Sequence, residues 1–171
     1  RHFRNQLYLL KEADADRFDD FRVYVLENTP ELRSLELVRS SVRSELDLFF
    51  VESASKTEKE LYWAGDGLQI WLQLLFHIWR HQSVDSLIID EPDVYLHPDL
   101  QRRLVAILEQ SSNQVILATH APEILTESNR DAVIVLDRTR RSSKRITNDQ
   151  ELTRLNSALG SGFNLRLAKA L

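Results

Sequence analysis

Three short runs of continuously apolar residues limit the fold of this chain more than any other feature: Leu87-Ile88-Ile89, Val115-Ile116-Leu117-Ala118 and Ala132-Val133-Ile134-Val135-Leu136. Each is shorter than an ordinary helix and lacks the in-out alternation of a half-solvated strand, so each reads as a strand covered on both faces. The segments between them have helical periodicity. Pro98 to Glu109 turns Leu100, Leu104, Ile107 and Leu108 to one side, and Ala121 to Glu127 forms a shorter helix. Strand, helix, strand, helix, strand is the order of an α/β domain with a parallel sheet. Ligands of such sheets sit beyond the carboxyl ends of the strands, where Asp90-Glu91 and Thr119-His120 fall.

The flanking regions differ in character. Arg17 to Asn28 places Phe18, Phe21 and Val25 on one helical face and stops at Asn28-Thr29-Pro30. Leu35 to Val38, Leu46 to Val51 and Glu60 to Trp63 read as a small antiparallel meander. After Gly65-Asp66-Gly67 comes an apolar helix from Leu68 to about Arg80, with Trp71, Leu74, Leu75 and Ile78 at i, i+3, i+4 and i+7. Beyond the third apolar run, Arg138 to Lys144 joins it to Arg145-Ile146-Thr147 as a hairpin, and Asp149 to Leu171 reads as two helical pieces divided at Gly160-Ser161-Gly162. The organisation expected is a helix and meander over 1–64, an α/β core over 65–148 and a helical segment over 149–171.

At 171 residues and 43% hydrophobic content the chain can bury a substantial core. A formal net charge of -4 excludes a polybasic nucleic-acid binder, and the absence of cysteine excludes disulfides and thiolate metal sites. No apolar run approaches the roughly 20 residues that span a bilayer, so we expect a soluble, cytoplasmic protein with no membrane partner. The opening Arg1-His2-Phe3-Arg4 and the lack of any methionine suggest a piece of a longer polypeptide.

The run Leu87-Ile88-Ile89-Asp90-Glu91-Pro92 ends a buried strand in adjacent carboxylates. Phosphoanhydride hydrolysis needs a magnesium ion on the phosphates and an oriented water, and two acids can divide those tasks: Asp90 holding the ion, Glu91 orienting or deprotonating the water. Taken alone, the same residues would serve merely to end a strand. His120, at the end of the next strand, is placed to hydrogen-bond a terminal phosphate. Gly65-Asp66-Gly67-Leu68-Gln69 opens a helix with small residues, allowing an anion to approach backbone N–H groups.

In this order the elements resemble the signature turn, Walker B acids, D-loop and switch histidine of an ABC-type ATPase head. The residues Asp90-Glu91-Pro92-Asp93-Val94-Tyr95-Leu96-His97-Pro98-Asp99-Leu100-Gln101 and Thr119-His120-Ala121-Pro122-Glu123-Ile124-Leu125 resemble most the heads of OLD (overcoming lysogenization defect) nucleases and related AAA-type ATPases of phage defence and DNA repair. The likeness is specific from Trp63 to Leu125. It implies the C-terminal portion of a P-loop NTPase core, with ATP and Mg²⁺ as cofactors, Asp90 as the magnesium acid, Glu91 as catalytic base and His120 as switch histidine. It further implies that Asp66, Gly67 and Gln69 contact ATP held by an opposite subunit and that His97 lies in a D-loop crossing a homodimer interface. In such proteins a nuclease domain acting on DNA usually follows.

The sequence departs from that pattern in having no Gly-x-x-x-x-Gly-Lys-Ser/Thr segment, in placing Asp66 where signature turns carry serine, and in placing His97 where a D-loop usually has aspartate. Two other readings compete: a two-metal phosphoesterase built on Asp90, Glu91, Asp93, His97 and His120, and a noncatalytic dimerisation module. His77 and His81, four apart on an apolar helix, are read as packing residues. Arg138, Arg140, Arg141, Lys144 and Arg145 are read as a solvated hairpin tip.

Overall fold

The computed structural model describes residues 2–40, 45–137, 141–160 and 167–170. The chain divides into two compact units, Arg1–Arg80 and His81–Leu171.

The first unit comprises α1 (His2–Ala13), α2 (Ala15–Asn28), the strands β1 (Leu32–Arg39), β2 (Leu46–Glu52) and β3 (Glu58–Glu60), a 3₁₀ turn over Leu61–Trp63, and α3 (Asp66–Arg80). Asp14 starts α2 by accepting a hydrogen bond from the Arg17 N–H at 3.0 Å, supplying one of the partners a helix start lacks. Phe18, Phe21 and Val25 form the buried face of this helix, as their spacing predicts. The meander is antiparallel in the order β1-β2-β3, with Leu35, Leu37, Leu48 and Phe50 buried. Its third strand lies earlier than the sequence suggested. Glu58–Glu60 pairs with β2, and Leu61-Tyr62-Trp63 curls into the 3₁₀ turn because the Glu60 carboxylate accepts from the Tyr62 N–H at 2.8 Å.

Trp71, Leu72, Leu75, Phe76 and Ile78 are buried on α3. Trp71 is fully buried, yet its indole N–H must still find an acceptor; it donates to the Thr29 hydroxyl at 2.8 Å. Phe21 meets Phe76 edge-on with ring centroids 5.1 Å apart and Trp79 at 5.3 Å. These aromatic contacts join α2 to α3.

The second unit holds β4 (Ser86–Asp90), α4 (Pro98–Glu109), β5 (Gln114–Thr119), α5 (Pro122–Glu127), β6 (Val133–Asp137), β7 (Ser142–Arg145), α6 (Asp149–Gly160) and β8 (Leu167–Ala170). Sheet order is β4-β5-β8-β6-β7. The pair β4 and β5 is parallel, with Leu87 opposite Val115 and Asp90 opposite Ala118. Two expectations are corrected here. The end of the tail is a strand rather than a second helix, and it runs antiparallel between β5 and β6. Helix-forming composition is overridden because the facing edges of β5 and β6 offer backbone donors and acceptors that must be paired. The division expected at Gly160-Ser161-Gly162 extends into residues 161–166, outside the described residues. The three apolar strands nevertheless all point the same way, since β5 and β6 are each antiparallel to β8.

Burial along the sheet is uneven among the described residues. Val115, Leu117 and Val133 are buried, and Val133 joins Leu125, Ile146 and Leu155 in a core completed by Val135, Leu152 and Leu159. On the opposite face Ile88 is 74% exposed. The helical residues in that core come from α5 and α6.

The hairpin lies at Leu136↔Ser143 and Asp137↔Ser142, earlier than Arg145-Ile146-Thr147. Lys144 pairs with Glu151 of α6, which also accepts from the Thr147 N–H at 3.2 Å. The Lys144 hydrogen bond, followed by that of Thr147, holds the Glu151 carboxyl below the ordinary carboxylate value. A carboxyl with a lowered folded-state value stabilises at pH above its unfolded value, and that contribution is lost as pH falls through the lowered one. The Thr147 amide resonance is therefore expected to titrate in acid, below the range of an unperturbed glutamate. A Lys144→Gln variant should move that midpoint upward.

Candidate functional site

The acids at the end of β4 are placed by the ladder and by a backbone constraint. The Glu91 N–H donates to the Ala118 carbonyl at 2.8 Å, extending the pairing one residue past the strand. Pro92 then disfavours the right-handed helical basin for Glu91, which adopts φ 46. A non-glycine residue in the left-handed region costs about 1 kcal/mol or more. The conformation turns the chain sharply after Asp90, leaving Asp90 exposed and Glu91 half-buried at the sheet edge.

His120 follows β5 by one residue, and its Nδ1 lies 3.8 Å from Glu91 Oε1. That separation is too long for a hydrogen bond but close enough for both groups to address one small ligand. Their side chains are 53% and 39% exposed, so solvent reaches both. Asp90, Glu91 and His120 thus gather at the carboxyl ends of two adjacent parallel strands.

A buried link that the apolar runs do not announce joins the two strand ends. The Thr119 hydroxyl donates to Asp93 Oδ1 at 2.5 Å and accepts from the Ala121 N–H at 3.0 Å. Both residues are nearly inaccessible, Thr119 at 2% and Asp93 at 8%. Alternation along β5 could have revealed it, because Val115, Leu117 and Thr119 share the covered face. Asp93→Ala is expected to leave the Thr119 hydroxyl without its acceptor and to cost about 1–3 kcal/mol, while Asp93→Asn retains an acceptor oxygen and costs less. Urea midpoints at unchanged slope would measure both.

The same geometry removes the two-metal reading. Asp93 is committed to Thr119, and His97 Nδ1 accepts from the Asp99 N–H at 3.3 Å as the N-cap of α4. Among the described residues no three histidine, aspartate or glutamate side chains converge to hold a metal ion. Leu96 is buried, receiving the Gln101 side-chain amide on its carbonyl at 2.9 Å, whereas Tyr95 stands 69% exposed at φ 66.

In the first unit, Asp66 is the exposed first residue of α3, where a carboxylate complements the helix dipole. That local role accounts for an acid at this turn without any ligand. Gly65 faces open space, and the Gln69 side-chain amide closes the turn by donating to the Ala64 carbonyl at 3.0 Å. Gly67 lies half-buried within the first turn.

Co-directional apolar strands of a mixed α/β sheet thus carry acids and a histidine to one edge, in a P-loop NTPase-like fold shared with solved ATPase heads. The chain belongs to the family described as "AAA domain, putative AbiEii toxin, Type IV TA system", whose model matches residues 1–126. It is 31% identical over 98 residues to the OLD nuclease of Thermus scotoductus, an alignment covering 51% of this chain and 18% of that protein. The match therefore spans less than a fifth of the curated relative's length. Among solved structures, one from work on ATP-driven dimerization and DNA-stimulated activation of SMC ATPases aligns with TM-score 0.66 and 16% identity, covering 86% of this chain and 92% of that one. The Smc head bound to the C-winged helix domain of ScpA aligns with TM-score 0.59 and 17% identity, covering 84% and 48%. These likenesses establish the fold. Among the described residues no helix is long and apolar enough to cross a membrane.

Proposed function

We propose that this chain supplies the catalytic-acid portion of an ATP-binding, ATP-hydrolysing head that dimerises on nucleotide and drives an attached effector. The observation that carries the reading is the placement of Glu91 and His120 at the ends of adjacent parallel strands, 3.8 Å apart, with Asp90 beside them. Glu91 is the base, orienting or deprotonating the attacking water. His120, across from it, contacts the terminal phosphate. Asp90 presents an exposed carboxylate, a hard oxygen donor suited to magnesium, which neutralises phosphate charge when bound.

The remaining assignments follow from family resemblance. Asp66, Gly67 and Gln69 address ATP held by the opposite subunit, and His97 lies on the loop crossing between subunits. No Gly-x-x-x-x-Gly-Lys-Ser/Thr segment occurs in these 171 residues, so the phosphate cradle is supplied by other residues of the working head. Kinship with an OLD nuclease supports a nuclease as the effector, and a role in DNA repair or phage defence follows from the family resemblance alone.

Dimerisation can be tested by sedimentation of the Glu91→Gln variant in a polypeptide joining this chain to its phosphate-binding loop. Magnesium-ATP should convert monomer to dimer and hold it there, because hydrolysis no longer releases the subunits. Equal sedimentation with and without nucleotide would sink the dimerisation reading.

A further inference from the structure

Just before α3 two large aromatic side chains stand in solvent, Tyr62 at 72% and Trp63 at 81% exposure, their rings edge to face with centroids 5.9 Å apart. Exposed Tyr and Trp in one patch mark a recognition surface more often than a structural one. Tyr62 also lines a cleft of about 810 Å³ shared with Arg4, Glu45, Asp47, Glu60 and Gln69. None of these features takes part in the proposed nucleotide chemistry except Gln69, whose amide is already held by Ala64.

The charges of the cleft decide what it can accept. Among the described residues Arg4 is the only lining cation, and its guanidinium is used, donating to the Leu46 carbonyl at 3.1 Å and pairing with Glu60 Oε1 at 2.7 Å. The other Glu60 oxygen accepts from the Tyr62 N–H, tying the aromatic turn to the cleft wall. With Arg4 and Glu60 cancelling, the Asp47 carboxylate leaves the described lining of the cleft acidic. A phosphate-bearing ligand meets repulsion there. A guanidinium is complementary to both parts, since it is planar, weakly hydrated, stacks on aromatic faces and pairs with carboxylates in bidentate fashion.

We propose that this cleft and its aromatic lip bind an arginine side chain of a basic partner polypeptide, with the guanidinium stacked at Tyr62–Trp63 and paired with Asp47. The proposal does not rest on the nucleotide reading, although Gln69 belongs to both sites.

The test is titration of a fluorescein-labelled hexa-arginine peptide into the 171-residue chain, read by anisotropy and, with unlabelled peptide, by tryptophan emission. Trp63 is the exposed reporter, whereas Trp71 is fully buried. Saturable binding with a blue shift is expected. Asp47→Asn and Trp63→Leu should each weaken it about fivefold, and hexa-lysine should bind more weakly than hexa-arginine. Asp20→Asn, the same charge change on the exposed face of α2, should alter affinity less than about twofold. Trp63 makes so little buried contact that its loss should not unfold the chain, which keeps that variant informative if Asp47→Asn proves unstable. The proposal is overturned by equal weakening in Asp20→Asn, by unchanged affinity in Trp63→Leu, by failure of hexa-arginine to bind, or by preferential binding of an oligothymidine.

Discussion

Glu91→Gln, in a polypeptide that joins this chain to its phosphate-binding loop, is expected to slow phosphate release about 10²–10⁴-fold, the usual contribution of a positioned general base. ATP affinity should be retained. The amide is isosteric with the carboxylate and keeps a hydrogen-bonding oxygen, but it cannot take a proton from water. Fold is not at stake, because Glu91 is held through its backbone N–H to Ala118 and its side chain is 39% exposed. Phosphate release measured under saturating ATP separates loss of chemistry from loss of binding. Turnover unchanged in Glu91→Gln would remove Glu91 from the chemistry.

Trp71→Ala should produce the largest loss of stability, about 3–5 kcal/mol for truncating a buried tryptophan. Trp71 is fully buried, and its indole N–H is the partner of the Thr29 hydroxyl, which is itself 2% exposed. The substitution both opens a cavity and strands a buried hydroxyl. Trp71→Phe keeps most of the apolar contact and loses mainly the hydrogen bond, so it should cost distinctly less. Denaturant unfolding of the two variants distinguishes packing from hydrogen bonding. Equal losses would place the whole effect in the hydrogen bond.

The parts legible in the sequence were those written in local periodicity. The α2 and α3 faces, the paired runs at β4 and β5, and the arrival of Asp90, Glu91 and His120 at one edge all follow from spacing between neighbours. What escaped was non-local. The strand at Leu167–Ala170 is formed by the demand of β5 and β6 for backbone partners, which no property of its own residues announces. The exposure of Ile88 is something an apolar run cannot encode. In the site itself, Asp93 looked like a candidate metal acid because it follows Asp90-Glu91-Pro92. Its burial against Thr119, 26 residues away, turns it into part of the frame beneath Glu91 and His120.

The division of labour between this chain and a separate phosphate cradle is tested most directly by titrating magnesium-ATP into the 171-residue chain by calorimetry while following phosphate release, with Glu91→Gln alongside. Neither binding heat nor turnover is expected from either protein, because the acids and His120 are present without the loop that holds the phosphates. Turnover by the unmodified chain that disappears in Glu91→Gln would contradict it, since these residues alone would then bind the phosphates as well as hydrolyse them.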